Sequence, residues 1–464
     1  MPSVAESRKL VEIEATSLDE AGRGVGMSEE PSGPRTMHVP DLLPGERAEV
    51  AIDHQSPHKA EAWATIVRRL GEPSPARTSP ACPAFGRCGG CAWQHLAYPG
   101  QLAEKRARVV RALAPVLGAG GVEAATAVAV AAVTPSPAEL GYRHKGKYVA
   151  GWISGRLGLG AYAPRSHTLI DTAGCRVVAP LVDELRARAC SAAAAAGLTP
   201  WVEKQRTGEL RYVIVRATRD GRGLVVLVVR SIADETRVAA VARAIAGDPR
   251  VAGVLRMDND RDDGALLDGA ARVLAGDATV RDTVAGVAIE LGAGEFAQVN
   301  PAQADAMYAR VATLALEAWD ATATRAADIY AGLGGITLAL ASARASVIAI
   351  ERDPSAVAAL SAAAAGAGLG DRVDARTGDA ATLAHGGQLD VIVVNPPRKG
   401  LSTDVITALV ASSARRVVYV SCGPESLARD LVLLRDGGFT IDTIEPFDLM
   451  PGTAQVETVV RLQR

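Results

Sequence analysis

The stretch Ala327-Asp328-Ile329-Tyr330-Ala331-Gly332-Leu333-Gly334-Gly335 decides the fold. It reads as the end of a strand, a tight turn and the start of a helix, because glycine lets a backbone turn sharply and approach a ligand closely. About 20 residues on, Glu351 closes a second apolar run from Val347, where an acidic side chain can accept both hydroxyls of a ribose. Asp379 follows a third strand-like segment. Further runs lie at Asp390–Val394, Arg416–Ser421 and Val456–Leu462, with helical stretches between them. Strands alternating with helices predict a doubly wound, mostly parallel sheet. The full G-x-G-x-x-G spacing is missing, which disfavours a dinucleotide.

The glycine loop, Glu351 and Asp379 together suit the class I, Rossmann-like α/β fold of methyltransferases that bind S-adenosylmethionine. Tyr330, Gly332 and Gly334 belong to the same loop. Two segments past the ends of strands carry candidate chemistry: Asn395-Pro396-Pro397-Arg398-Lys399-Gly400 and Val420-Ser421-Cys422-Gly423-Pro424. A third, Gln455-Val456-Glu457-Thr458, lies near the C-terminus. C5 of uracil is a poor nucleophile towards a methyl sulfonium. A thiolate that adds to C6 makes C5 nucleophilic, and a base must then remove the C5 proton so that the thiol can leave. One cysteine and one base must face the same ring, and Cys422 and Glu457 are the candidates.

These segments resemble those of the RNA uracil-5 methyltransferases, and the resemblance runs nearly end to end. Tyr419-Val420-Ser421-Cys422 with Arg429-Asp430 matches the family's nucleophile loop, and Glu457 its base. Phe296-Ala297-Gln298-Val299-Asn300 matches a segment whose glutamine contacts the cofactor. Tyr142-Arg143-His144-Lys145 and Leu210-Arg211-Tyr212 match two elements further upstream. The resemblance implies cofactor contacts from Gln298 and Asn395 as well as the glycine loop, and contacts to the base or its neighbours from Asn395, Phe296 and Arg143. Two positions depart from the family. Asn395 stands where an aspartate is usual, keeping an acceptor for uracil N3–H but without charge assistance. Gln455 stands where a histidine is usual. Asn395-Pro396-Pro397 also resembles the motif of amino-methyltransferases, so an RNA base N-methyltransferase is one alternative; it leaves Cys422 without a role. A non-catalytic RNA-binding or assembly protein is another, against which the joint presence of Cys422 and Glu457 argues.

Residues 8–70 alternate apolar and polar positions with turn residues between, which predicts a small β-barrel. The resemblance makes it a TRAM-like RNA-binding domain. Prolines at 73, 75, 80 and 83 mark a boundary. Three parts follow: a barrel over 1–72, a central α+β domain over 73–285 and a methyltransferase domain over 286–464; the resemblance implies that 97–120 packs on the last.

Six cysteines are present. Cys82, Cys88 and Cys91 are clustered and Cys175 lies downstream; four thiolates suit either an iron–sulfur cluster or structural zinc. The RlmD-like branch of the family carries this pattern and binds [4Fe–4S], so the resemblance favours the cluster. Cys190 reads as a helix residue outside this set.

The net charge of −2 gives no support to general nucleic-acid binding, so any RNA footprint must be local. Two basic clusters qualify: Lys105, Arg106, Arg108 and Arg111, and Arg143, His144, Lys145 and Lys147. No apolar run is long enough to span a bilayer and no secretory signal is evident. The expectation is a cytoplasmic monomer acting on structured RNA, with 23S ribosomal RNA favoured over transfer RNA and the target base flipped out of its stack.

Overall fold

A computed structural model describes residues 10–30, 33–117, 128–261, 269–385 and 388–464. Its C-terminal part is a seven-stranded sheet. In chain order the strands are β1 (Arg325–Ile329), β2 (Ser346–Glu351), β3 (Val373–Thr377), β4 (Val391–Val394), β5 (Arg416–Ser421), β6 (Thr440–Phe447) and β7 (Glu457–Gln463). Their spatial order is β3-β2-β1-β4-β5-β7-β6. The first five run parallel, whereas β7 pairs antiparallel with both β5 and β6.

Both faces of this sheet are buried. Val391 and Val393 point into one core, and Ile392 and Val394 into the other. That is why β4 reads as an unbroken apolar run rather than an alternating one. Helices Pro301–Leu316, Gly335–Ser342 and Pro354–Gly366 supply the first core. Helices Thr403–Ala411 and Pro424–Asp436 supply the second.

The helix Tyr98–Leu117 packs on that second side, contributing Val109, Leu113 and Val116. Its basic residues are spoken for. Lys105 is fully buried and forms an ion pair with the equally buried Asp448, Nζ to Oδ1 2.5 Å. Arg106 donates to the carbonyls of Val130 and Ala131, and Arg108 to the carbonyl of Ala454 and to Glu20 and Glu425. Arg111 faces Glu104. The first basic cluster therefore holds the fold together; it is not an open RNA footprint.

Upstream, six strands from Leu10–Glu14 to Glu61–Leu70 form one sheet whose edges curl together. Gly26 of the third strand lies directly against Ile13 and Glu14 of the first, and the Thr16 backbone N–H donates to the Val25 carbonyl at 2.8 Å. Ile13, Met37, Val39 and Val50 fill its core. The central part is a second seven-stranded sheet, from Lys145–Ile153 to Ala271–Gly276, with helices Pro180–Ala195 and Glu235–Ala246 on one face. Its other face, through Ile214, Leu224, Val226 and Val228, joins the first catalytic core. The hairpin Val280–Val284/Val287–Leu291 straddles residue 285, and its Val280, Val287 and Ile289 belong to the catalytic core. Among the described residues no helix is long and apolar enough to cross a membrane.

Candidate active site

Strand register brings the site together. Ile329 pairs with Ile350 and with Val394, and Val394 with Tyr419, so the carboxyl ends of β1, β2, β4 and β5 lie along one edge. Tyr330, Glu351, Asn395 and Cys422 each follow within three residues of those pairings. The β5–β7 ladder closes with Ser421 opposite Thr458. Cys422 comes immediately after Ser421 and Glu457 immediately before Thr458, so the antiparallel register carries the thiol and the carboxyl out side by side.

One cavity of about 1090 Å³ is lined by Cys422, Glu457, Gln298, Tyr330, Gly332, Glu351, Asp379, Asn395 and Phe296. Two expected site residues are not in its wall. Gly334 adopts φ +83°, and a Cβ there would run into Leu360, so it shapes the turn from behind. Arg143 donates to the Lys145 carbonyl at 3.0 Å, while its neighbours His144 and Lys145 reach the cavity.

The glycine loop is tightly specified. Tyr330 takes φ +65°, a sparsely populated conformation for a non-glycine residue. Its N–H and that of Ala331 both donate to the Ile350 carbonyl. The Gly332 N–H donates to Glu351 Oε2 at 2.9 Å, and the amides of Arg352 and Asp353 donate to Oε1. Three backbone donors thus fix the carboxylate at the mouth of the loop, leaving lone pairs for a ribose. Asp379 accepts from the Ala381 amide and from Arg352, which hold its carboxyl below the usual range. An acidic strand end bonded to a glycine turn beside an open cavity fits S-adenosylmethionine.

At the other end lies the chemistry. Burial pushes the Glu457 carboxyl up to about 7, opposed by the Arg398 guanidinium. Burial also raises the Cys422 thiol, as does the Glu457 charge, whereas Arg398 lowers it by charge and by a hydrogen bond. Cys422 sits just before Gly423, the N-cap of helix Pro424–Asp436, where the helix dipole favours a thiolate. Arg398 Nη2 donates to Gln455 Oε1 at 2.6 Å. The loop that bears Arg398 is bolted to the loop that bears Cys422. The wholly buried Asp430 accepts from Tyr419 Oη, the Leu401 amide and Arg429, and Arg429 also donates to the carbonyls of Lys399 and Leu401. Gly400 has φ +78°, and any Cβ there would strike Asp430, so glycine is required on both counts.

Phe296 is 72% exposed at the cavity mouth. Asn300 caps helix Pro301–Leu316 through the Gln303 amide and donates to Ser136 Oγ and the Leu449 carbonyl, so the last residue of the Phe296–Asn300 segment is architectural. Arg211 is likewise buried, donating to Asn259 and the Arg261 carbonyl. Tyr308 and Arg216 also line the cavity, and Glu457 adds to the rise in the Tyr308 hydroxyl's pKa. Neither residue was expected: one comes from a helix interior and the other from a central strand, where no local pattern marks them.

Cys82, Cys88, Cys91 and Cys175 lie outside the cavity. Among the described residues no group of three or more His, Cys, Asp or Glu side chains is arranged to hold a metal ion. The four thiols are nonetheless within electrostatic reach of one another, the Cys91 thiol being pushed up to about 12 by burial and by the other three. The cysteine loop packs on the segment before Glu457: the Trp93 N–H donates to the Gly452 carbonyl, and Gly452 lies against Cys91 and Gln94.

Fold and cavity define the class, a methyltransferase with the S-adenosylmethionine-binding α/β sheet. A family model described as tRNA (Uracil-5-)-methyltransferase matches residues 383–464, and one described as Methyltransferase small domain matches 309–419. An uncharacterized RNA methyltransferase of Halalkalibacterium halodurans is 30% identical over 98% of this chain and 97% of its own length. Another, from Nostoc sp., is 32% identical over 98% of this chain and 96% of its own length. The crystal structure of a Pyrococcus abyssi tRNA (uracil-54, C5)-methyltransferase in complex with S-adenosyl-L-homocysteine superposes with a TM-score of 0.75, at 21% identity, covering 97% of this chain and all of that one. The chain belongs to the RNA uracil-5 methyltransferase family.

Proposed function

We propose that this protein methylates C5 of a uridine in structured RNA, with Cys422 as a covalent nucleophile and Glu457 as the base. The observation that carries this reading is the β5–β7 register, which sets the thiol beside a carboxyl pushed up to about 7 in the cavity that also holds the Glu351 ribose clamp. The Cys422 thiolate adds to C6, and the electron pair released onto C5 takes a methyl group. Bound S-adenosylmethionine supplies that methyl group as a sulfonium. Glu457 then accepts the C5 proton, the C5–C6 double bond re-forms, and the thiolate leaves. A carboxylate with a pKa near working pH is well matched to that proton transfer. Asn395 faces the base edge, Gln298 the cofactor, and Phe296 stacks at the mouth on the flipped nucleotide or its neighbour. Arg143 acts on the RNA through the His144–Lys145 segment it braces.

RNA containing 5-fluorouridine tests the mechanism. The fluorine cannot leave as a proton, so wild type forms an adduct that survives denaturation; no adduct on a confirmed substrate sinks the nucleophile. Nucleoside mass spectrometry of a deletion strain identifies the target. Loss of 5-methyluridine from 23S ribosomal RNA is expected; loss from transfer RNA corrects the substrate, and loss of an N-methylated base refutes the C5 reading.

The curled N-terminal sheet is read as a TRAM-like RNA-binding barrel. The four cysteines are read as ligands of a [4Fe–4S] cluster that braces the Glu457 segment. Anaerobically purified protein with zinc and no iron overturns this. The reading places the protein, as a monomer, in the cytoplasm with its RNA.

A further inference from the structure

Gln455 stands two residues before Glu457, and its side chain meets Arg398 in the wall of the cavity. Arg398 has its backbone pinned from the other side, since Ser426 Oγ donates to its carbonyl at 2.9 Å. The guanidinium thereby lies in the wall of the cavity that also holds Cys422 and Glu457, and its charge acts on both.

The identity of the anchor matters. An amide oxygen accepts the Arg398 N–H without cancelling its charge. A carboxylate in the same place would neutralise the guanidinium and leave little for the thiolate. A bare apolar side chain would leave the long arginine free to swing into the open cavity. We propose that Gln455 is a positioning residue: it fixes Arg398 between Cys422 and Glu457 as an uncompensated cation, so that a thiolate can form beside a carboxylate. The proposal rests on the reading of Cys422 as nucleophile. Other groups near the pair are Tyr308 from helix Pro301–Leu316, Lys399 next to Arg398, and Glu425 in the first turn after Cys422, which is engaged by Arg108.

The test measures the thiol itself and needs no RNA. The full-length protein is alkylated with iodoacetamide across pH, and modification of the Cys422 peptide is quantified by mass spectrometry. Gln455→Leu should raise the apparent pKa of Cys422 by about one unit, cutting alkylation at pH 7 roughly tenfold. Gln455→Glu keeps the hydrogen bond and should still raise it, because the cation is quenched. Gln455→His keeps a neutral acceptor and should titrate near wild type. The proposal is overturned if Gln455→Leu or Gln455→Glu titrates like wild type. It is equally overturned if the histidine variant shifts as far as the leucine variant. Should Gln455→Leu fail to fold, the glutamate variant decides alone. Because no methyl transfer is measured, an error in the assignment of uridine or of its RNA leaves this result interpretable.

Discussion

Glu457→Gln is expected to make the protein more stable at alkaline pH while stopping its turnover. In the folded protein the carboxyl is pushed up to about 7 from an ordinary 4.5. Below about pH 4 both folded and unfolded chains hold this proton, and the group is neutral with respect to stability. Between the two values the unfolded chain releases the proton and the folded one keeps it, so stability falls as pH rises. Above 7 the whole cost is present. The rise from 4.5 to about 7, at roughly 1.4 kcal/mol per pH unit, sets a ceiling of about 3.5 kcal/mol. A glutamine has no such charge to bury. Paired denaturant titrations should therefore show the variant matching wild type near pH 4 and exceeding it by up to about 3.5 kcal/mol near pH 8. On 5-fluorouridine-free substrate the same variant should accumulate a methylated covalent complex. In wild type, release of product should accelerate about tenfold per pH unit up to 7 and then level off. A stability difference that does not change with pH, or normal turnover by Glu457→Gln, refutes the reasoning.

Three further outcomes follow from named contacts. Lys105→Met strands the buried Asp448 carboxylate and should cost about 3–5 kcal/mol in chemical denaturation, much of it recovered when Asp448→Leu is added. Gly334→Ala sets a methyl group against Leu360 at φ +83°; it should weaken S-adenosylhomocysteine binding by calorimetry at least about fivefold, with a stability loss of roughly 1–3 kcal/mol. Phe296→Ala removes an aromatic ring that is mostly in solvent, so melting should stay within about 0.5 kcal/mol of wild type while KM for RNA rises and cofactor affinity holds.

The sheet and its cofactor turn were legible because their signals are local. Glycines at fixed offsets, an acidic residue after the next apolar run and two cavity-facing loops all lie within short windows, and β1, β2 and β4 begin or end within a residue of the expected positions. What sequence could not carry was partnership across the chain. Lys105 looks in sequence like one member of a basic surface run, and only the fold reveals Asp448 against it. Gly334 has the right residue type for touching a ligand, yet it faces Leu360. The boundary at 285 fell in a hairpin because a two-stranded ribbon has no composition of its own; which core it joins is decided by packing. Asn300 and Arg211 sit in motifs that resemble functional segments and serve the scaffold, a distinction that no motif carries.

The segment from Asp448 to Gln455 leads into Glu457, and its anchors come from far away in the chain. Lys105 holds Asp448, Gln101 holds the Gly452 amide, and Tyr142 holds the Pro451 carbonyl, across separations of 343, 351 and 309 residues. Glu457 is thus aimed by parts of the protein made long before it. By the time the ribosome reaches Glu457, the residues that orient its segment already exist, whereas an isolated C-terminal sheet would lack Lys105, Gln101 and Tyr142 as anchors.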